Sequence, residues 1–263
     1  MSVDRKLLIE WAGCILPLGS DAFFQSPSSL SLDGLGYDVL DYFVGDAKSL
    51  LGAISQRLPY SAMAVRRADG TAHYFNRGTR AWEEWARDGE AVHIQAPYLP
   101  QGMLCHAGFD SITETLVNPE GLSPSEVFAK RGLKPSCKGH SLGGPMAKTV
   151  AIKSNLVGIQ HYLFEAPRMF SPAAAAYVRS LGFLFGATFM PGDIVPTLPP
   201  ASFGWSHDDL SDELELSPDG LRDTLQARHT MTSILHSLDN SFPAAPEDAA
   251  PTQPLTGQVN GAS

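Results

Sequence analysis

The residues Gly139-His140-Ser141-Leu142-Gly143-Gly144, preceded by Pro135-Ser136-Cys137-Lys138 and followed by Pro145-Met146-Ala147-Lys148-Thr149-Val150-Ala151, decide how the rest of the chain is read. They satisfy G-x-S-x-G, the pattern of a sharp strand-to-helix turn. A serine at the apex of such a turn is held in a strained conformation, and the flanking glycines let the two arms pass without clashing. The helix that opens after the turn aims its first N–H groups and its dipole at negative charge developing near the serine. A short strand into Gly139 and a helix from about Gly144 to Lys153 are therefore expected, with Ser141 as a candidate nucleophile. An ordinary glycine-rich loop is the competing reading of the same residues.

Outward from the turn, strands alternate with helices. A strand over Gln160–Phe164, a helix over Ser171–Ser180 and a strand over Ala187–Met190 follow it, while Ser123-Pro124-Ser125-Glu126 upstream opens a helix as a capping box with proline at the first helical position. That alternation implies βαβ units, hence an α/β fold with a mostly parallel central sheet and helices on both faces. Further upstream, the spacing of Leu35, Val39, Tyr42, Phe43, Leu50, Leu51, Ile54 and Leu58 predicts a helix that Pro59 ends. Ser61–Arg67 and Thr71–Phe75 read as strands joined through Ala68-Asp69-Gly70, a hairpin signal. A last helical stretch runs from Leu221 to Leu238. Residues 241–263, with Pro243, Pro246, Pro251 and Pro254, read as a disordered tail, leaving 1–240 as one domain.

A serine nucleophile needs a base and an acid that orients it, and in α/β-hydrolases these follow in the order Ser, Asp or Glu, His. Pro191-Gly192-Asp193-Ile194-Val195-Pro196 places Asp193 just past an apolar strand, at the end of a parallel sheet where active sites lie. Three histidines follow: His207, His229 and His236. The carboxylates of Asp208, Asp209, Asp212 and Glu213 are expected to keep His207 protonated, and a protonated imidazole cannot accept the serine proton. His229 sits at a loop–helix junction, and His236 two helical turns further on, about 10 Å along the axis. His229 is the candidate base.

Composition narrows the partners. The chain has 263 residues, 43% hydrophobic and 18% charged, which favours a packed core over disorder. With 19 Lys and Arg against 28 Asp and Glu, the net charge of −9 repels polyphosphate, so nucleic acid is not an expected partner. Cys14, Cys105 and Cys137 lie far apart with no C-x-x-C pair, so three reduced thiols are expected. Arg5 and Lys6 precede only Leu7, Leu8 and Ile9 before Glu10 interrupts, too short a run for a secretory segment. The expectation is a short capping helix, and a cytoplasmic protein or one exported without a cleavable signal peptide.

Several separated segments make the chain similar to the class 3 lipase family. Arg77-Gly78-Thr79 with Trp85 and Asp88 resembles its F-R-G-T…W-x-x-D, His106-Ala107-Gly108-Phe109 its H-x-G-F, and Gly139 to Gly144 its G-H-S-L-G-G unchanged. Ala166-Pro167-Arg168 resembles its G-A-P-R, and Asp193-Ile194-Val195-Pro196 with Leu198-Pro199-Pro200 its D-x-V-P-x-L-P-P. The resemblance implies an α/β-hydrolase fold and hydrolysis of a lipid carboxylic ester, as a triacylglycerol lipase or an A1-type phospholipase. Ser141 would be the nucleophile, Asp193 the orienting acid and His229 the base. An oxyanion hole would be formed by the Leu142 and Thr79 backbone N–H groups. No metal and no cofactor is required. The partner implied is a lipid ester, with transient contact at a lipid interface. The segment Arg80 to Asp88 would be a lid, with Trp82 and Trp85 on one helix face; core burial is the other reading of those tryptophans. The alternative to an enzyme is a lipase-like interaction domain that has lost turnover.

Departures from the family pattern are equally specific. Pro135-Ser136-Cys137-Lys138 stands where the strand before the nucleophile is usually apolar, Asn76 where phenylalanine is usual, and Glu165 where a small residue is usual. His207 resembles a position near the mouth of the site, where a supporting role is expected.

Overall fold

In a computed structural model, residues 3–48, 55–78 and 92–249 are described. Nine strands are seen among them: β1 Tyr37–Lys48, β2 Ser55–Arg66, β3 Ala72–Asn76, β4 His93–Ile94, β5 Cys105–His106, β6 Ser136–His140, β7 Gln160–Phe164, β8 Leu184–Phe189 and β9 Leu210–Glu215. The α-helices are α1 Arg5–Ile15, α2 Asp21–Gln25, α3 Ala107–Glu114, α4 Pro124–Arg131, α5 Gly143–Lys153, α6 Pro172–Ser180, α7 Leu225–His229 and α8 Met231–Leu238.

Seven strands form one sheet in the order β1-β2-β3-β6-β7-β8-β9. The first two pairings are antiparallel, and every pairing from β3 to β9 is parallel. The mostly parallel sheet is thus as expected. Alternation along the strands sends neighbouring side chains to opposite faces. Tyr74 and Leu163 join a core with Met146 and Val150 of α5, whereas Phe75, Tyr162 and Phe164 join one with Trp11 of α1 and Ile234 of α8. Both faces are covered, and the inner parallel strands β7 and β8 accordingly carry near-continuous apolar residues.

The region before Pro59 corrects the sequence reading. Among the described residues no α-helix lies between Leu35 and Leu58: Leu35 ends a 3-10 turn and the chain then runs into the long strands β1 and β2, while Leu50, Leu51 and Ile54 lie outside the described residues. Register shifts between Val39 and Asp41 and between Phe43 and Val44 mark bulges. The first inserts Leu40 into β1 and moves its two-residue alternation out of phase, so Val39, Tyr42 and Phe43 recur at helix-like spacing in an extended chain; the second inserts Tyr60 into β2. Pro59 lies inside β2 opposite Val44, at that irregularity, a place in a sheet that tolerates a missing N–H. Edge strand β9, with sequence LSDELE, also escaped the reading because it lacks a clear apolar alternation.

The capping chemistry is as expected at α4, where Ser123 and Glu126 form both bonds of the capping box and Pro124 occupies the first turn. The stretch from Leu221 to Leu238 is broken at Thr230, whose extended backbone and side chain cap α8. The tail reading is corrected in part. Ala249 bridges to Leu221, and buried Asp248 accepts hydrogen bonds from Thr230 Oγ1 at 2.7 Å and Thr232 Oγ1 at 3.1 Å. Residues 241–249 therefore pack on the domain, held by an acid that satisfies the α8 cap, despite their prolines. Residues 250–263 lie outside the described residues.

Candidate active site

The turn between β6 and α5 is built by close backbone approach. A Cβ on Gly139 would stand 2.0 Å from the Gly143 carbonyl oxygen, so only glycine lets the strand pass the helix it feeds. Ser141 adopts φ 52°, a left-handed conformation that L-residues avoid. Its N–H donates to Phe164 O at 2.9 Å and its carbonyl accepts from Gly144 N at 2.9 Å, which locks the strained residue between β7 and the first turn of α5. Leu142 follows as the N-cap of α5. On the other side, Gly78 lies so near that a Cβ there would be 2.9 Å from Ser141 Cβ. Thr79, Trp82 and Trp85, and the segment Arg80 to Asp88, lie outside the described residues.

The structure brings Ser141, His229 and Asp193 together. Ser141 Oγ is 2.8 Å from His229 Nε2, and His229 Nδ1 is 2.5 Å from Asp193 Oδ2. With Nδ1–H donating to the carboxylate, Nε2 carries a lone pair that accepts a hydrogen bond from the Ser141 hydroxyl. Asp193 Oδ1 accepts from Val195 N at 2.9 Å, which fixes the carboxylate in its own loop. All three groups are buried, Ser141 at 2%, His229 at 2% and Asp193 at 6% exposure, so the hydroxyl is not solvent-facing. A cleft of about 580 Å³, walled by Ile15, Leu16, Pro17 and Met231, opens beside His229 and His140.

Against known proteins, the model of the family described as Lipase (class 3) matches residues 74–203. The chain belongs to the class 3 lipase family. A lipase of Rhizomucor miehei is 31% identical over 156 residues, covering 56% of this class 3 lipase chain and 43% of the fungal protein. A lipase of Rhizopus niveus is 32% identical over 146 residues, 52% of this chain and 37% of that protein. The chain thus matches less than half the length of either relative. Among solved structures, the Rhizomucor miehei lipase propeptide complex superposes with a TM-score of 0.63 at 21% identity, over 82% of this chain and 70% of that one. A triacylglycerol lipase whose catalytic centre is described as a serine protease triad gives 0.63 at 20% identity, over 83% of this chain and 82% of that one. The α/β-hydrolase fold is shared.

Two other segments that resemble family motifs make structural contacts. His106 accepts from Gly108 N at 3.1 Å, capping α3, and stacks on Phe109. Arg168 Nη1 donates to Pro199 O at 3.1 Å and also bonds Thr197 O, pinning the chain that follows Asp193.

Three contributors escaped sequence reasoning. His140, inside the central motif, donates from Nε2 to the His229 carbonyl at 2.7 Å; burial, then the nearby His229, pushes its pKa down to about 3 and keeps it a neutral donor. Arg228 Nη1 donates to Pro191 O at 2.7 Å, tying α7 to the Asp193 loop. Glu165, noted only as a departure, is fully buried beside Asp193.

His207 corrects an expectation. Burial, then the charge of Lys148, pushes its pKa down to about 3, so it is neutral, with Nε2 2.8 Å from Pro196 O. Asp209, two residues further on, is turned away into a fully buried pair with Lys148 at 2.6 Å. Chain neighbours are not spatial neighbours here, and the expected protonation fails for that reason.

Proposed function

We propose that this class 3 lipase hydrolyses carboxylic esters of lipids through an acyl-enzyme on Ser141. The observation that supports it is the unbroken relay from Ser141 Oγ through His229 to Asp193, with both contacts at hydrogen-bond distance. His229 takes the serine proton as Oγ attacks the ester carbonyl, then gives it to the leaving alkoxide. The same imidazole activates water for deacylation, while Asp193 stabilises the imidazolium formed in each half-reaction. The Leu142 N–H, at the head of α5, and Thr79 receive the tetrahedral oxyanion. Acylglycerols and phospholipid sn-1 esters are the substrate classes proposed, with Trp82 and Trp85 meeting the lipid interface.

Two measurements test this. A fluorophosphonate probe should label Ser141, and incubation with mixed acylglycerols and phospholipids should release fatty acids and lyso-products detectable by mass spectrometry. Folded protein that neither labels nor releases acid would instead be an interaction domain. Replacing both Trp82 and Trp85 by Ser should lower turnover on vesicles while sparing a short-chain soluble ester; equal loss on both places the tryptophans in the core.

A further inference from the structure

Glu165 immediately follows β7 and adopts φ 50°, a left-handed conformation at a non-glycine residue. Its carboxyl is wholly buried. Its N–H donates to Thr188 O at 3.2 Å, and its Oε2 accepts from Met190 N at 3.0 Å, so the side chain lies beneath the loop that leads from β8 to Asp193. Oε1 is buried with no N–H donor reaching it. The groups that face the carboxyl are the Asp193 carboxyl and the Thr188 hydroxyl, with Tyr162 further off; the Tyr162 hydroxyl donates elsewhere, to Ala187 O at 3.3 Å.

Two neighbouring carboxylates cannot both stay ionised out of water, because burial strips each charge of its hydration and the two like charges repel with no solvent to screen them. One shared proton removes the conflict. Its place follows from the donors already present: Asp193 receives His229 Nδ1–H and Val195 N–H, two stabilisers of its charge, whereas Glu165 receives one. Burial, then the adjacent Asp193, hold the Glu165 carboxyl well above the usual carboxylate range. The strained backbone and the buried acid both cost stability, and such outliers gather where a site requires them.

We propose that Glu165 is a positioning residue of the hydrolytic site, a neutral acid that donates its proton to the Asp193 carboxylate and fixes it beneath His229. The inference rests on the hydrolase reading above. It extends the relay by one member, Glu165 to Asp193 to His229 to Ser141. The proton stays on Glu165 throughout, so the chemistry on the ester is unchanged. A carboxylate bound by three donors is held in one rotamer, which keeps the imidazole in line with Ser141 at each proton transfer.

Glu165→Gln keeps a donor to Asp193 and an acceptor for Met190 N–H. Glu165→Gly removes the donor and relieves the backbone strain. Infrared difference spectra near neutral pH, taken on the Ser141→Ala background, should show a protonated carboxylic acid band that Glu165→Gln abolishes. With a soluble ester, Glu165→Gln should stay within about twofold of wild type with an unmoved pH profile. Glu165→Gly should lose about tenfold in kcat at unchanged KM. Its melting temperature should be no lower, and its acid limb should move to higher pH, because an Asp193 carboxylate with one donor fewer holds the imidazolium more tightly. A purely structural residue would lower the melting temperature and leave the profile alone. Absence of the infrared band, a shift of the Glu165→Gln limb to lower pH, or full kcat in Glu165→Gly overturns the proposal. A wild type that hydrolyses no ester overturns the hydrolase reading itself and with it the positioning role, a result distinct from any of these.

Discussion

Strand β6 leads to Ser141 at one end and buries Lys138 nearer its middle, and the two places treat buried charge in opposite ways. At Ser141, each donor meets an acceptor in order, hydroxyl to imidazole to carboxylate, so that positive charge on the imidazole has an ionised carboxylate beside it. Around Lys138, a fully buried amino group has no carboxylate at ion-pair distance among the described residues. Its Nζ lies 2.6 Å from His73 Nδ1, 3.2 Å from Ser136 O and 4.3 Å from the Trp11 ring centroid. Desolvation pushes the Lys138 pKa down to about 7, and burial with the lysine's charge pushes His73 down to about 2, so the histidine accepts and never competes for the proton. Burial and a displaced pKa therefore occur in both places. What separates the proposed reactive site from the packed one is direction, meaning an ordered chain of donors and acceptors that starts from a serine at the head of a helix.

The widest contrast between the two places should appear on removing the nucleophile. Ser141→Ala is expected to lower kcat by about 10⁶-fold while the protein stays folded, and His229→Ala to lose as much, since the two groups act as a unit. Retention of more than a few per cent of ester turnover by either variant would break the comparison at its catalytic end.

At the other place the expected change is in stability and not in turnover. The unfolded lysine titrates at 10.5 and the folded one at about 7, so between these values the unfolded chain binds more protons and stability rises with pH. The destabilisation is fully present below the folded value and vanishes above the unfolded one. Lys138→Met removes that slope, and at neutral pH it should stabilise the protein by on the order of 1–4 kcal/mol, as apolar replacement of buried charge does elsewhere. Urea melts of both proteins at about pH 6 and about pH 9 check it: the difference between them should shrink at the higher pH. A variant that loses ester turnover along with the lysine would show that the two places are coupled after all.

How much of this was visible in the sequence follows the same division. Ser141, Asp193 and His229 were legible because their chemistry requires short local patterns: glycines where backbones cross, an acid just past an apolar strand, a histidine at a junction. The buried partners were not. Lys138 and Glu165 show in the sequence only as polar residues in apolar company, and their partners His73 and Asp193 lie far away along the chain, His73 by 65 residues. Strand β1 was misread because the bulge at Leu40 imitates helical spacing. His207 was misjudged because charge was read along the chain while Asp209 reaches Lys148 instead.

The smallest expected effect concerns His236, and it turns on the break at Thr230. Were Leu221 to Leu238 one helix, His236 would share a face with His229 seven residues earlier. Thr230 instead takes an extended conformation with ψ 150° and caps a new helix, so the two histidines have no common helical phase. His229 faces Ser141, whereas the Nδ1 of His236 lies 2.8 Å from the carbonyl of Phe242, part of the segment that packs back through Asp248. His236→Ala should leave kcat and KM unchanged, because the imidazole touches no member of the relay. It should cost only the bond to Phe242, about 0.5–1.5 kcal/mol in a thermal or urea melt. A large loss of turnover without a change in melting temperature would mean that α8 presents a different face to the site than the one seen here.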